Sequence, residues 1–259
     1  VSHPLRTVIG SAALAAGMWA ITATARADAP DLPKESYKKA ADADLKFLQD
    51  RVADLVKKGT AAKDGFVKPA VGVALLLAAY GDALGDAALK GDALKVAEAL
   101  AKKDFKAADD LAKGLAVKPG AAGKPGALPK PSFKDDVLLD AVMNPFRGTA
   151  GGGLNIDKDL KDLTKNTSPA KIDPAAVEIL GVRSAVLNGY GLHAPNDKAK
   201  VNDAGKKQWE DWSNKSIDLS KQIAAEAGKG KGADEKKLKT LLTNLSARCA
   251  DCHNKFRDD

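Results

Sequence analysis

Two cysteines and a histidine stand together in Cys249-Ala250-Asp251-Cys252-His253. They use up all the cysteine in the chain, and only His3 and His193 supply further imidazoles. Residues three and four apart on a helix share a face. Both thiols would therefore project to one side, with His253 beside them. Two thiols on one face can form thioethers to the two vinyl groups of a single porphyrin, and the imidazole can be offered to its iron. Cys-x-x-Cys-His is the attachment pattern of c-type haem, and one covalently bound haem c is the cofactor expected here.

Other chemistries of the same residues fit less well. A thioredoxin-type Cys-x-x-Cys needs a βαβ setting, and no strand pattern is visible. A structural zinc ion takes four ligands, whereas the cluster offers three. A disulfide between Cys249 and Cys252 would close a very short loop and stabilise little.

The motif is followed by six residues. A group attached there must be covered by helices that come earlier in the chain, as a four-helix bundle supplies. The composition agrees with helices. Alanine, leucine and lysine are abundant and aromatics are only 5%, which favours an all-α fold.

The first helix is expected from the 3–4 spacing of Tyr37, Ala41, Leu45, Leu48, Val52 and Leu55, closed by Gly59. Val67–Leu84 is apolar on nearly all sides and reads as a buried helix. Residues 87–103 and 104–116 supply one or two more. Proline and glycine then dominate residues 117–132, read as a linker between a helical domain at 28–116 and a second domain at 133–259.

In the second domain a helix runs from Phe133 toward Met143 and stops at Asn144-Pro145. "RGTAGGGLN" reads as a flexible loop, "IDKDLKDLTK" as a short helix, and Asp173-Pro174 as the capped start of another. "APNDKAKVN" reads as a loop, with His193 just before it at the surface. A long helix spans 203–227, with Trp209, Trp212, Leu219, Ile223 and Ala227 on one stripe. The last begins near Asp234 and carries Leu238, Leu241, Leu242, Leu245, Cys249, Cys252 and Phe256 on one face. The similar roles of "KKDFKAADDLAKGL" and "GADEKKLKTLLTNL" suggest a diverged duplication. The first copy holds neither cysteine nor histidine.

The formal charge is +7. Residues 1–27 combine Arg6, an apolar run from Val8 to Ile21 and Ala25-Arg26-Ala27, the pattern of a secretory signal peptide cut before Asp28. The apolar run is too short for a bilayer span. Without its two arginines the formal charge is +5. The lysines are interspersed with acids, so no nucleic-acid surface is expected and no membrane span after cleavage. A mildly basic surface suits an acidic redox partner protein.

Residues 133–259 resemble the class II c-type cytochromes, the cytochrome c-prime group. The resemblance rests on "CADCHNKFR" and on the tryptophan-bearing "KKQWEDWSNKSIDLSKQIAAEA". It implies a four-helix bundle with haem on the last helix, held by Cys249 and Cys252, with His253 as proximal iron ligand. It also implies Arg257 on the proximal side and a sixth position that is open or filled by a methionine of the first helix, where Met143 stands; Arg257 reads equally as a helix C-terminal cation and Met143 as a core thioether. Trp209 and Trp212 read as bundle-core residues, with Trp209 a candidate haem contact, and a homodimer is one assembly open to the chain. The interruption at Pro145 departs from the family's unbroken first helix. Arg147 and Arg183 read equally as partners for haem propionates and as surface charges.

Together these readings describe an exported, periplasmic electron-transfer protein. A five-coordinate haem protein that binds nitric oxide or carbon monoxide is the alternative, and a haem-bearing partner-binding module the third. No acid, base or nucleophile constellation points to an enzyme.

Overall fold

A computed structural model describes residues 28–120, 126–165 and 171–257. The expected signal peptide, residues 1–27, lies outside the described residues. The protein is all-α, as its composition predicts. Among the described residues the only sheet-like pairing is a bridge between Asp28 and Ala127.

Four helices form the first half. They are α1 (Lys34–Lys58), α2 (Asp64–Leu84), α3 (Ala87–Ala101) and α4 (Phe105–Gly114). The expected apolar stripe of α1 buries Tyr37, Ala41, Leu48, Val52 and Leu55, and the helix ends at Gly59. Helix α2 is long and apolar enough to cross a membrane, but 89% of its most apolar window is buried inside the protein. It is a core helix. Gly85 ends it in the left-handed conformation at φ 71°, which costs glycine nothing. Asp86 and Asp104 then start α3 and α4, accepting hydrogen bonds from Leu89 N at 3.0 Å and Ala107 N at 3.1 Å. Packing runs in a ring: α1 on α2, α2 on α3, α3 on α4, and α4 back on α1.

The second half comprises α5 (Asp135–Met143), α6 (Ile156–Thr164), α7 (Pro174–Leu192), α8 (Asp197–Lys200), α9 (Asp203–Ala227) and α10 (Glu235–Phe256). Helix α5 stops where Pro145 was expected to stop it, in a 3-10 turn at Asn144–Phe146. The stretch read as a flexible loop is instead a hydrogen-bonded corner. Gly153 N donates to Gly148 O, Leu154 N to Pro145 O at 2.8 Å and Asn155 N to Arg147 O at 2.8 Å. Its glycines permit a turn tight enough for the backbone to satisfy itself. The stretch 194–202 also departs from the loop expected. Asn196 caps the one-turn helix α8, accepting from Ala199 N at 2.9 Å. In this half α5 packs on α7, α7 on α9, α9 on α10, and α10 on α6.

One hydrophobic core runs through both halves. Helix α2 packs on α5 and α7, and α1 on α7. Gly72 makes the α2–α5 approach possible, because a Cβ there would lie 2.1 Å from Ala141 O. Polar groups pin the same join. Arg183 Nε and Nη2 donate to Asp44 Oδ1 at 2.9 and 2.5 Å, and Tyr80 OH donates to Asp44 Oδ2 at 3.0 Å. Burial pushes the Asp44 carboxyl above its ordinary pKa; Arg183 and Tyr80 pull it back. Ser36 Oγ and Lys39 Nζ both donate to the buried Glu178, at 2.6 and 2.9 Å. Lys68 pairs with Asp140 at 2.5 Å.

The described parts of segment 117–132 lie first on the α2–α3 corner and then against α7. Lys118 N donates to Asp86 Oδ2 at 2.6 Å and Gly120 N to Leu84 O at 3.1 Å. Leu128 is buried, and Pro129 O accepts from Tyr190 OH at 3.0 Å.

Candidate haem-attachment site

Helix α10 presents the cysteine motif because its apolar stripe continues into it. Asp234 caps the helix, accepting from Lys237 N at 3.0 Å. Leu238, Leu241, Leu242 and Leu245 are buried on one face, and Cys249 follows on that face against the main core. Cys252 packs into a second cluster with Trp209, Trp212, Phe256 and Leu139. The Phe256 ring meets Trp209 at 5.5 Å and Trp212 at 5.6 Å, both edge-on.

Neither cysteine is in a disulfide. Burial, then the neighbouring Cys252 and Asp157, push the Cys249 thiol up to about 12. Burial pushes Cys252 up to about 11. Both are therefore protonated at neutral pH, the opposite of the lowered thiol that disulfide-exchange chemistry requires. His253 lies at the surface one residue beyond. Partial desolvation, then the Arg257 guanidinium, lower its pKa, while Asp157 opposes them. A neutral imidazole is the form that binds iron. Asp157 and Lys161 belong to α6, paired at 2.7 Å, so α6 flanks the motif. Among the described residues no three His, Cys, Asp or Glu side chains converge as a site for a bare metal ion.

The other expected site residues fall into three groups. Trp209 joins the Cys252 cluster and donates from Nε1 to Gly191 O at 3.0 Å. Met143 closes α5, with Cε against Gly191, 3.2 Å from where a Cβ would stand. Gly191, Trp209, Phe256 and Cys252 thus connect Met143 to the motif's end of the molecule. Arg257 is exposed just past α10, and its N–H donates to His253 O at 3.0 Å. Arg183 is committed to Asp44 across the join.

His193 is not the surface residue that the sequence suggests. It ends α7 half-buried, and its Nε2 is enclosed with no hydrogen-bond partner among the described residues. Burial lowers its pKa, opposed by Glu210. Nothing in the local sequence marks this enclosure, which comes from packing of the α7 end beside α9. A shallow depression lined by Trp212, Asp251, Asn254 and Lys255 opens along the outer side of the last turns of α10. No family model matches the chain, and no curated protein or solved structure matches it significantly.

Proposed function

We propose that this is an exported c-type haem protein that passes single electrons to a partner protein outside the cytoplasm. In this reading residues 133–259 form a four-helix bundle with haem on its last helix, and residues 28–116 form a haem-free bundle before it. The single observation that carries the reading is the placement of Cys249, Cys252 and His253. The thiols are free and protonated, three residues apart, on the face of α10 that continues its buried stripe.

The donor set suits a haem. Each S–H can add across one vinyl group, sulfur to carbon and hydrogen to the neighbouring carbon, which leaves two thioethers. His253 then has one task, to offer a neutral nitrogen to the iron. The bound haem would supply a one-electron couple tuned by its axial ligands and its burial. Trp209, Phe256 and Leu139 would exclude water from the Cys252 side.

The sixth position separates electron transfer from gas binding. Met143, packed at Gly191, and His193, whose Nε2 has no partner among the described residues, are the candidates for it. A filled position favours electron transfer. An open one favours binding of nitric oxide or carbon monoxide, the second reading. The absorption spectrum of the reduced protein tests this. Electron transfer predicts a low-spin, six-coordinate spectrum unchanged by carbon monoxide. A high-spin spectrum that shifts at once with carbon monoxide would replace it with the gas-binding reading.

A further inference from the structure

The two halves repeat one pattern of contacts. In each, the first helix packs on the second, the second on the third, the third on the fourth, and the fourth returns to the first. In the second half α5 and α6 share the part of the first helix, one touching α7 and the other α10. The repeat has a residue register. At one constant offset Val67 falls on Val177, Leu77 on Leu187, and Tyr80-Gly81 on Tyr190-Gly191. The chain has only three tyrosines, so two of them in one register carries weight. Both are buried with the hydroxyl donating, to Asp44 and to Pro129 O. Each glycine touches the third helix, Gly81 on the side where a Cβ would stand and Gly191 through its carbonyl; a Cβ on Gly191 would meet Met143 Cε of α5 at 3.2 Å. A Cβ on Gly81 would lie 2.5 Å from Lys90 N of α3, and Gly191 O takes the Trp209 indole of α9.

The halves also meet crosswise. The second helix of the first half packs on the first helix of the second half, the reverse pair also packs, and the two second helices touch. A two-fold axis between two subunits produces that arrangement, in which contact i to j is answered by j to i.

The charges on this face distinguish a half from a second copy of itself. Lys68 of α2 pairs with Asp140 of α5 at 2.5 Å. The residue in register with Lys68 in the second half is Glu178. Two second halves joined through this face would set Glu178 against Asp140 of the other copy, like charge against like. In the chain as it stands Glu178 meets Ser36 and Lys39 instead. Repulsion of the wrong pair is a recognised source of interface specificity.

We infer that residues 28–116 serve as a built-in subunit, occupying the α5–α7 face of the second half in place of another copy, so that the chain is a monomer assembled like a two-fold dimer. The inference rests on reading the halves as two copies of one bundle, and not on haem attachment. Sedimentation equilibrium of the whole protein, with and without bound haem, tests it. The expected mass is one chain at every concentration. A two-chain mass would overturn it. A protease site inserted between residues 120 and 126 supplies a second reading. The cut fragments should sediment together as one particle, and fragments that separate would also overturn it. The uncut mass is informative even where the insertion prevents folding, and haem content is scored separately.

Discussion

Helices α4 and α10 occupy the same place in the two rings, and both start at an aspartate cap, Asp104 and Asp234. They then diverge. Helix α4 runs 10 residues and α10 runs 22. Counted from the caps, Pro119 stands in the first half where Cys249 stands in the second. By that position the first half has left the helix, which ends at Gly114, and has turned back, with Lys118 N on Asp86 and Gly120 N on Leu84 O. The second half continues through both cysteines and His253. The added turns of α10 are the turns that hold the candidate chemistry.

The first helices differ in the complementary sense. Helix α1 is unbroken over 25 residues, whereas its counterpart is divided at Pro145 into α5 and α6. The division sends α6 to α10, where Asp157 and Lys161 flank the motif. The half with the motif has thus gained an additional wall beside it, and the other half has kept a straight helix to bury Asp44.

The largest expected effect breaks this contrast outright. Replacing Cys252 in Cys252→Ser should abolish nearly all covalent haem, measured by mass of the exported protein. Full retention with an unchanged spectrum would contradict two-thioether attachment. Next comes the join. Arg183→Met leaves Asp44 buried without its cation, and should cost about 3–5 kcal/mol in urea unfolding. Because the core is shared, the transition should stay single; two separated transitions would show that the halves fold independently. The caps compare the halves directly. Asp104→Ala and Asp234→Ala should each cost about 1 kcal/mol, the usual worth of a cap, and only the second should also disturb the haem spectrum.

The smallest effect concerns acid. Hydrogen bonds from Lys229 and Lys237, then the Asp234 N–H, lower the Glu226 pKa to about 2. Its folded value lies below its unfolded one, so its contribution is complete above the ordinary carboxylate range. It is lost as pH falls toward 2. Glu226→Gln should flatten stability across that window, and an unchanged acid limb would refute the link.

Local signals in the sequence carried most of the helices. Gly59, Asp173-Pro174 and Asp234 mark ends that the structure places where they were read. The motif and its stripe were equally legible, since both follow from helical spacing. The corner at 144–155 was not, because glycine signals freedom and its hydrogen bonds involve residues that only folding brings together. The pairs Asp44–Arg183 and Ser36–Glu178 were hidden for the same reason: Arg183, open to a propionate or a surface position by sequence, is held by Asp44. The Tyr-Gly register was visible in the chain, but α2 and α7 differ at most other positions. The enclosed His193 Nε2 had no local signal.

The most direct test of the central claim is the protein exported from a host that attaches haem c. Its denatured mass and its pyridine haemochrome spectrum are measured on one sample. The account predicts one haem per chain, retained on denaturation, with the spectrum of two saturated thioether links. A chain of unmodified mass, or haem released by denaturant, would contradict it.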